Sequence, residues 1–169
     1  MIEIRSLPAD LEIRDGRTIV GRAVPYGTET QIGSYVESFT RGAFSGIDPS
    51  SVPLTAPHPK DGGELPIGVS LAYREEADGL YGEWRVSETT FGDDVLALVR
   101  DRAVSGLSIG FVADPTTDVW DQGRTRVVRH RATLDHVAVV RSPAYADARI
   151  VALRSARPRL AIARRVGSV

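Results

Sequence analysis

The chain has 169 residues, with 42% hydrophobic residues, 25% charged residues and a formal net charge of -1. These values indicate one globular domain with a hydrophobic core, and they exclude a chain that attracts nucleic acid through its overall charge. Because the sequence has no cysteine, no apolar run of membrane-spanning length and no signal-peptide core at its first residues, disulfides and thiolate zinc sites are excluded, and a cytoplasmic protein is expected.

The first half of the chain is predicted to form short strands. Residues 12–14 and 17–20 flank Asp15-Gly16, a pair typical of a tight hairpin turn. A second hairpin is predicted across Ala77-Asp78-Gly79, and a short helical turn around residues 41–44. The patterns of apolar and polar residues predict the remaining strands at 34–39, 52–55, 68–74 and 80–86.

One helix is predicted near the middle of the chain. Thr90 followed by Asp93 suits a helix start, because the hydroxyl can accept a free backbone N–H and the carboxylate faces the positive end of the helix. Apolar residues at helical spacing between 95 and 99 predict a buried face. We expect Gly106 to end the helix as a left-handed residue.

Strands follow this helix. They are predicted at 107–113, 124–132 and 134–141, with a turn at Asp121-Gln122-Gly123. The many strands and few helices predict a mainly β fold, either a barrel or a sandwich with helical insertions.

The last residues differ in composition from the rest of the chain. Residues 154–169 contain five arginines and no acidic residue, so we predict a domain over residues 1–153 that is followed by a basic C-terminal tail. Two interpretations of this tail stay open. It is either a flexible, solvated terminus or a basic arm that docks on a partner or on nucleic acid.

Ser108 is the candidate nucleophile, in a chain that has only three histidines. His58 lies between two prolines, which fix the backbone and can hold an imidazole at the angle that a general base needs. His136 lies in an apolar strand, where its ring needs a polar partner such as a second histidine. His130 and Ser105 are weaker candidates, the first in a charged strand and the second at the predicted helix end.

These residues also have other interpretations. A serine between glycines in a strand is more often structural than catalytic. The histidines, with Asp135 or Asp114 supplying oxygen, are an alternative zinc site. No two histidines have the i, i+4 spacing of a helical metal motif, however.

Several short segments follow one another in a recognisable order. They are Phe39 to Phe44, a histidine-containing segment, Gly79-Leu80, the run Gly106 to Phe111 (Gly-Leu-Ser-Ile-Gly-Phe), and an apolar run from Val137 that ends in Pro143-Ala144. In sequence and in order these segments resemble the prohead maturation proteases of tailed phages. The resemblance covers most of the chain.

This family is similar to the herpesvirus assemblins, serine proteases that process capsid scaffolds and fold as a β-barrel flanked by helices. The resemblance implies the same fold here, with Ser108 as nucleophile, His58 as general base and His136 as the third member of a Ser-His-His triad. Many family members have an acidic residue at the position of His136. Asp135 is its neighbour, but neighbours on a regular strand face opposite sides, so Asp135 is not expected to share the site.

The resemblance implies a serine endopeptidase without a cofactor. Its expected substrates are the scaffold segment of the major capsid protein and its own termini, within assembling proheads in the host bacterial cytoplasm. No membrane or specific nucleic-acid partner is expected, and self-association stays open. A neutral histidine as third member stabilises a charged base less than a carboxylate does, so modest turnover is expected. The alternatives are a non-catalytic capsid assembly factor and a histidine-ligated metal hydrolase.

Overall fold

The structure, a computed structural model, describes the backbone of residues 3–8, 12–14, 16–57 and 62–141, and the side chains in the last two of these ranges. The predicted base His58 lies outside the described residues. The predicted basic tail, 154–169, lies outside them too, and so does its boundary with the domain.

The described residues form twelve strands, one α-helix and one 3₁₀ turn. The helix, α1, spans Thr90–Arg100, and the 3₁₀ turn spans Pro49–Ser51. The strands are β1 (Glu3–Pro8), β2 (Glu12–Arg14), β3 (Thr18–Pro25), β4 (Thr30–Ile32), β5 (Tyr35–Phe39), β6 (Pro53–Pro57), β7 (Glu64–Glu75), β8 (Gly79–Val86), β9 (Gly106–Ala113), β10 (Val119–Trp120), β11 (Arg126–Arg129) and β12 (Ala132–Val140). This content confirms the predicted mainly β fold with few helices.

The strands are arranged in two sheets. The larger has eight strands in the order β1-β9-β12-β6-β7-β8-β3-β2, and the smaller has four in the order β10-β11-β5-β4. Within these sheets the described pairs are antiparallel, except for β12 with β6 and β11 with β5, which are parallel. Because β1 also contacts β3, the larger sheet curls into a partial barrel.

The hydrophobic core lies inside this curl. Alternate residues of β9, which are Leu107, Ile109 and Phe111, face it. Trp84 of β8 is fully buried, and its indole N–H donates to the hydroxyl of Tyr73, 3.1 Å away. Burial of each large apolar side chain stabilises the fold by about 1.5–3 kcal/mol.

Both predicted hairpins are confirmed. Strands β2 and β3 pair across the first turn, where Gly16 has a φ of 71° that suits a glycine. Strands β7 and β8 pair across residues 76–78. The predicted helical turn at 41–44 is wrong, because these residues form hydrogen-bonded turns and not a helix.

The predicted ends of the helix need correction. The N-cap is Thr89, not Thr90, because Thr89 keeps an extended backbone while its hydroxyl accepts the N–H of Gly92 at 3.0 Å. The helix also ends before Gly106, which begins β9. Arg102 takes the left-handed conformation, with a φ of 59°, and the N–H groups of the next two residues both donate to the carbonyl of Leu98.

Three aromatic rings join the smaller sheet to the larger one. Phe39 of β5 lies 5.1 Å from both Phe44 and Phe111, measured between ring centroids. Phe111 meets each of the other two rings edge to face, and all three rings are buried. The smaller sheet therefore packs directly on β9, the strand that carries Ser108.

Candidate active site

Ser108 lies on β9, in the middle of three hydrogen-bonded strands. Its register partners are Ser6 on β1 and Ala138 on β12. Because its neighbours Leu107 and Ile109 face the core, Ser108 faces the other side of the sheet, which we call the outer face. Its side chain is nevertheless fully buried.

The outer face continues from β9 onto β12 and β6. Ala138 pairs with Thr55 of β6 as well as with Ser108, so these three residues form a row across three strands. Strand β6 ends at Pro57, directly before His58. His58 therefore follows β6, which lies two positions from β9 in the order of the sheet.

His136 lies on the same outer face, beside Gly110. The two residues are register partners on β12 and β9. A Cβ atom added to Gly110 would overlap the imidazole of His136, so the ring covers this glycine. Gly110 and Ser108 are two residues apart on one strand and share a face. The structure thus places two of the three predicted catalytic residues, Ser108 and His136, on one face of adjacent strands.

The expectation that Asp135 lies apart from this site is wrong. The register between β12 and β9 shifts between Leu134 and His136, which marks a β-bulge at Asp135. The regular alternation of side chains fails there, and Oδ2 of Asp135 lies 2.8 Å from Nδ1 of His136. An ionised carboxylate only accepts, so in this contact the N–H at Nδ1 donates to Asp135.

Glu64 approaches the other ring nitrogen of His136. Its Oε2 lies 2.8 Å from Nε2, but outside the direction of a ring hydrogen bond. Nε2 is buried and forms no hydrogen bond with any described residue. A buried polar atom of this kind generally has a partner, and Oε2 of Glu64 is in contact with this one.

The sequence did not single out Glu64 or Thr55. Thr55 donates a hydrogen bond of 2.8 Å to Oε2 of Glu64. Glu64 is the register partner of Pro57. A hairpin turn predicted at Gly62-Gly63 would have indicated that Glu64 lies opposite Pro57, the residue before His58.

The other residues that the sequence singled out have positions and contacts typical of structural residues. His130 is exposed, and its Nδ1 lies 3.5 Å from the hydroxyl of Thr40. Asp114 serves a turn, where hydrogen bonds from the side chain and backbone of Thr116 hold the pKa of its carboxyl below the ordinary value. Ser105 lies between α1 and β9.

A metal-binding cluster and a membrane-spanning helix are both absent from the described residues. Within 16–57 and 62–141, no group of three or more histidine, cysteine, aspartate or glutamate side chains is placed to hold a metal ion. In the part of the chain that the structure describes, no helix has the length and hydrophobicity to cross a membrane.

Gly110→Ala should disturb the position of His136. The added methyl group would occupy the space of the imidazole, so the ring or the strand must move. We expect a loss of about 1–3 kcal/mol in the free energy of unfolding. Displacing a catalytic group by about 1 Å costs on the order of 100-fold in rate, and we expect a loss of that size in kcat/KM.

The control for this variant is Gly123→Ala in an exposed turn. There a new Cβ would meet only ordinary van der Waals contacts, with the nearest atom at 3.7 Å. Unfolding curves and cleavage rates of both variants make the comparison. Wild-type activity in Gly110→Ala would contradict the position of His136 described above.

Comparisons with known proteins identify the family and support the fold. The family model described as "Caudovirus prohead serine protease" matches residues 6–160. The structure of the bacteriophage T4 capsid assembly protease is similar, with a TM-score of 0.57 and 14% sequence identity over 85% of this chain and 98% of that chain. No curated protein matches the sequence. The resemblance seen in the sequence is confirmed, and the chain belongs to the caudovirus prohead serine protease family.

Proposed function

We propose that this serine protease of capsid maturation is an endopeptidase with Ser108 as nucleophile, His58 as general base and His136 as third member. The observation that carries the proposal is the position of Ser108 and His136 on the outer face of adjacent strands, β9 and β12. The buried acceptor Nε2 of His136 supports it further.

The proposed mechanism is nucleophilic attack on a peptide bond. A free serine hydroxyl is a weak nucleophile near neutral pH, so it needs a base. As Oγ of Ser108 attacks the carbonyl carbon, His58 accepts the hydroxyl proton, and it then donates this proton to the leaving amine. His136, with its tautomer set by Asp135, offers Nε2 as the acceptor for the other N–H of His58. Water then releases the acyl group from Ser108 by the same steps.

The proposed substrates are the scaffold segment of the major capsid protein and the termini of the protease itself. The family match supports a role in prohead maturation, and the similar T4 protein is described as a capsid assembly protease. We place the reaction within assembling proheads in the host bacterial cytoplasm. Self-association of the protease fits this setting.

Labelling with a fluorophosphonate and coexpression with the capsid precursor test the proposal. A fluorophosphonate reacts with an activated serine, so mass spectrometry should find the label on Ser108 and not on Ser105. Coexpression should give capsid fragments of defined mass. Binding of the precursor with neither labelling nor cleavage would indicate a non-catalytic assembly factor, and inhibition by a chelator would indicate a metal hydrolase.

His136→Ala should weaken cleavage without abolishing it. His136 acts through His58, so its loss should cost roughly 100-fold in kcat/KM, less than the loss of Ser108 or His58. His136→Glu should retain more activity, because a carboxylate can also accept from His58. His130→Ala, at an exposed histidine, is the control and should be unaffected. Equal losses in His136→Ala and His130→Ala, measured in one cleavage assay, would contradict the role of His136.

A further inference from the structure

The imidazole of His136 lies between two carboxylates from different strands. Oδ2 of Asp135 is 2.8 Å from Nδ1, and Oε2 of Glu64 is 2.8 Å from Nε2. From β9 the ring meets Gly110, which contributes no charge. Among the described residues, Asp135 and Glu64 are the titratable groups in contact with the ring. The side chain of His136 is only 12% exposed, so solvent screens both carboxylates incompletely.

Glu64 is held in this position by its neighbours on β6. Thr55 donates to Oε2, the same oxygen that approaches His136. Glu64 also pairs in register with Pro57, the residue before His58. These contacts therefore hold Oε2 of Glu64 in one position. The carboxylate lies between His136, the proposed third member, and Pro57, the end of the strand that precedes the proposed base.

We propose that Glu64 and Asp135 are positioning residues that supply the negative charge which His136 lacks as the third member of the triad. The inference rests on the proposed function of His136. Asp135 fixes the ring tautomer through the N–H at Nδ1. Glu64 places negative charge beside Nε2, the atom that is to accept a hydrogen bond from His58.

The physical reason is the charge that the base acquires during catalysis. When His58 takes the proton of Ser108 it becomes an imidazolium ion, and a negative charge within about 4–6 Å of an ionisable ring favours its charged form. A neutral histidine alone gives little of this stabilisation. Because two carboxylates lie beside His136, the modest turnover predicted for a triad with a neutral histidine is no longer expected.

Glu64→Gln and Asp135→Asn test the role of charge in the wild-type background. Both changes keep the size of the side chain and a hydrogen-bond acceptor, for Thr55 in the first case and for His136 in the second. We expect kcat/KM to fall about 3- to 10-fold in each. The acid limb of its pH profile should move to lower pH by about 0.5–1 unit, because the protonated base loses a stabilising charge.

The matched control is Glu29→Gln. Glu29 forms an exposed ion pair with Arg126 at the smaller sheet, so its loss should leave the pH profile unchanged. A purely structural role of Glu64 would lower the melting temperature but would not move the acid limb.

A second measurement does not depend on activity. With only three histidines in the chain, ring ¹⁵N spectra of the Ser108→Ala protein can be assigned by single substitutions. At high pH His136 should carry its proton on Nδ1. The ring ¹⁵N shifts of His136 should change in Glu64→Gln and in Asp135→Asn, and they should not change in Glu29→Gln.

The two measurements separate this inference from the proposed function. If wild type is labelled at Ser108 and cleaves capsid precursor, but neither the ring ¹⁵N shifts of His136 nor the acid limb changes in folded Glu64→Gln and Asp135→Asn, the inference is overturned and the proposed function stands. If the ring ¹⁵N shifts of His136 change but Ser108 is neither labelled nor required, the carboxylates act on His136 as described and the proposed function fails.

Discussion

Ser108→Ala should reduce cleavage of the capsid precursor by about 10⁴-fold or more, while the protein stays folded. In the proposed mechanism the hydroxyl of Ser108 attacks the peptide carbonyl, and no other group can replace it as the nucleophile. The smaller side chain fits the site, since the register partner of Ser108 on β12 is itself an alanine, Ala138. Rates of precursor cleavage and a thermal unfolding curve measure the two effects separately.

Ser105→Ala is the control for this change. Ser105 precedes β9 and is partly exposed, so its loss should leave most of the activity. Cleavage by Ser108→Ala at the wild-type rate would overturn the assignment of the nucleophile. Equal loss in both variants would do the same.

Arg129→Met should destabilise the fold by about 3–5 kcal/mol, the usual cost of leaving buried charges without their partner. The guanidinium of Arg129 contacts Glu37 through Nε and Asp118 through Nη1, the latter at 2.6 Å. These three side chains are at most 5% exposed. Methionine fills a similar volume, so the loss comes mainly from two carboxylates that remain buried without a cation.

The effect should reach the strand of the proposed nucleophile. The guanidinium carbon lies 5.7 Å from the ring centroid of Phe111 on β9, so Arg129 helps to fix the smaller sheet against this strand. We expect the melting temperature to fall by roughly 10 °C, with loss of protease activity at lower temperature than in wild type.

Two further variants show whether charge or packing is responsible. Arg126→Met, on the same strand, breaks an exposed ion pair with Glu29 and should change stability by about 0.5 kcal/mol or less. Combining Arg129→Met with Glu37→Gln and Asp118→Asn removes the two carboxylate charges that Arg129 contacts in wild type and should recover part of the lost stability. Equal melting temperatures for Arg126→Met and Arg129→Met would show that the buried network contributes little.

Much of the fold follows from local sequence patterns. The hairpins at Gly16 and at residues 76–78 were predicted because turn formation depends on a few adjacent residues. The sequence pattern likewise predicted the strand at 107–113, and the structure shows that Leu107 and Ile109 of this strand face the core.

The candidate site was predicted only in part. The resemblance in the run from Gly106 to Phe111 pointed to Ser108, and the structure brings it onto one face with His136. The separation of Asp135 from that face was wrong, because it assumed a regular strand. The bulge appears only where β12 aligns with β9, and such a register shift depends on the partner strand as much as on the residues beside Asp135.

The sequence alone determined the type of fold, the family and the candidate nucleophile, because periodicity and short motifs are properties of neighbouring residues. Only the tertiary structure decided that Glu64 approaches His136. That contact requires β7 to fold back on β6 and β6 to pair in parallel with β12. The pairing of β6 with β12 is set by the packing of the whole sheet around its core, and the glycines beside Glu64 indicate only the turn between β6 and β7.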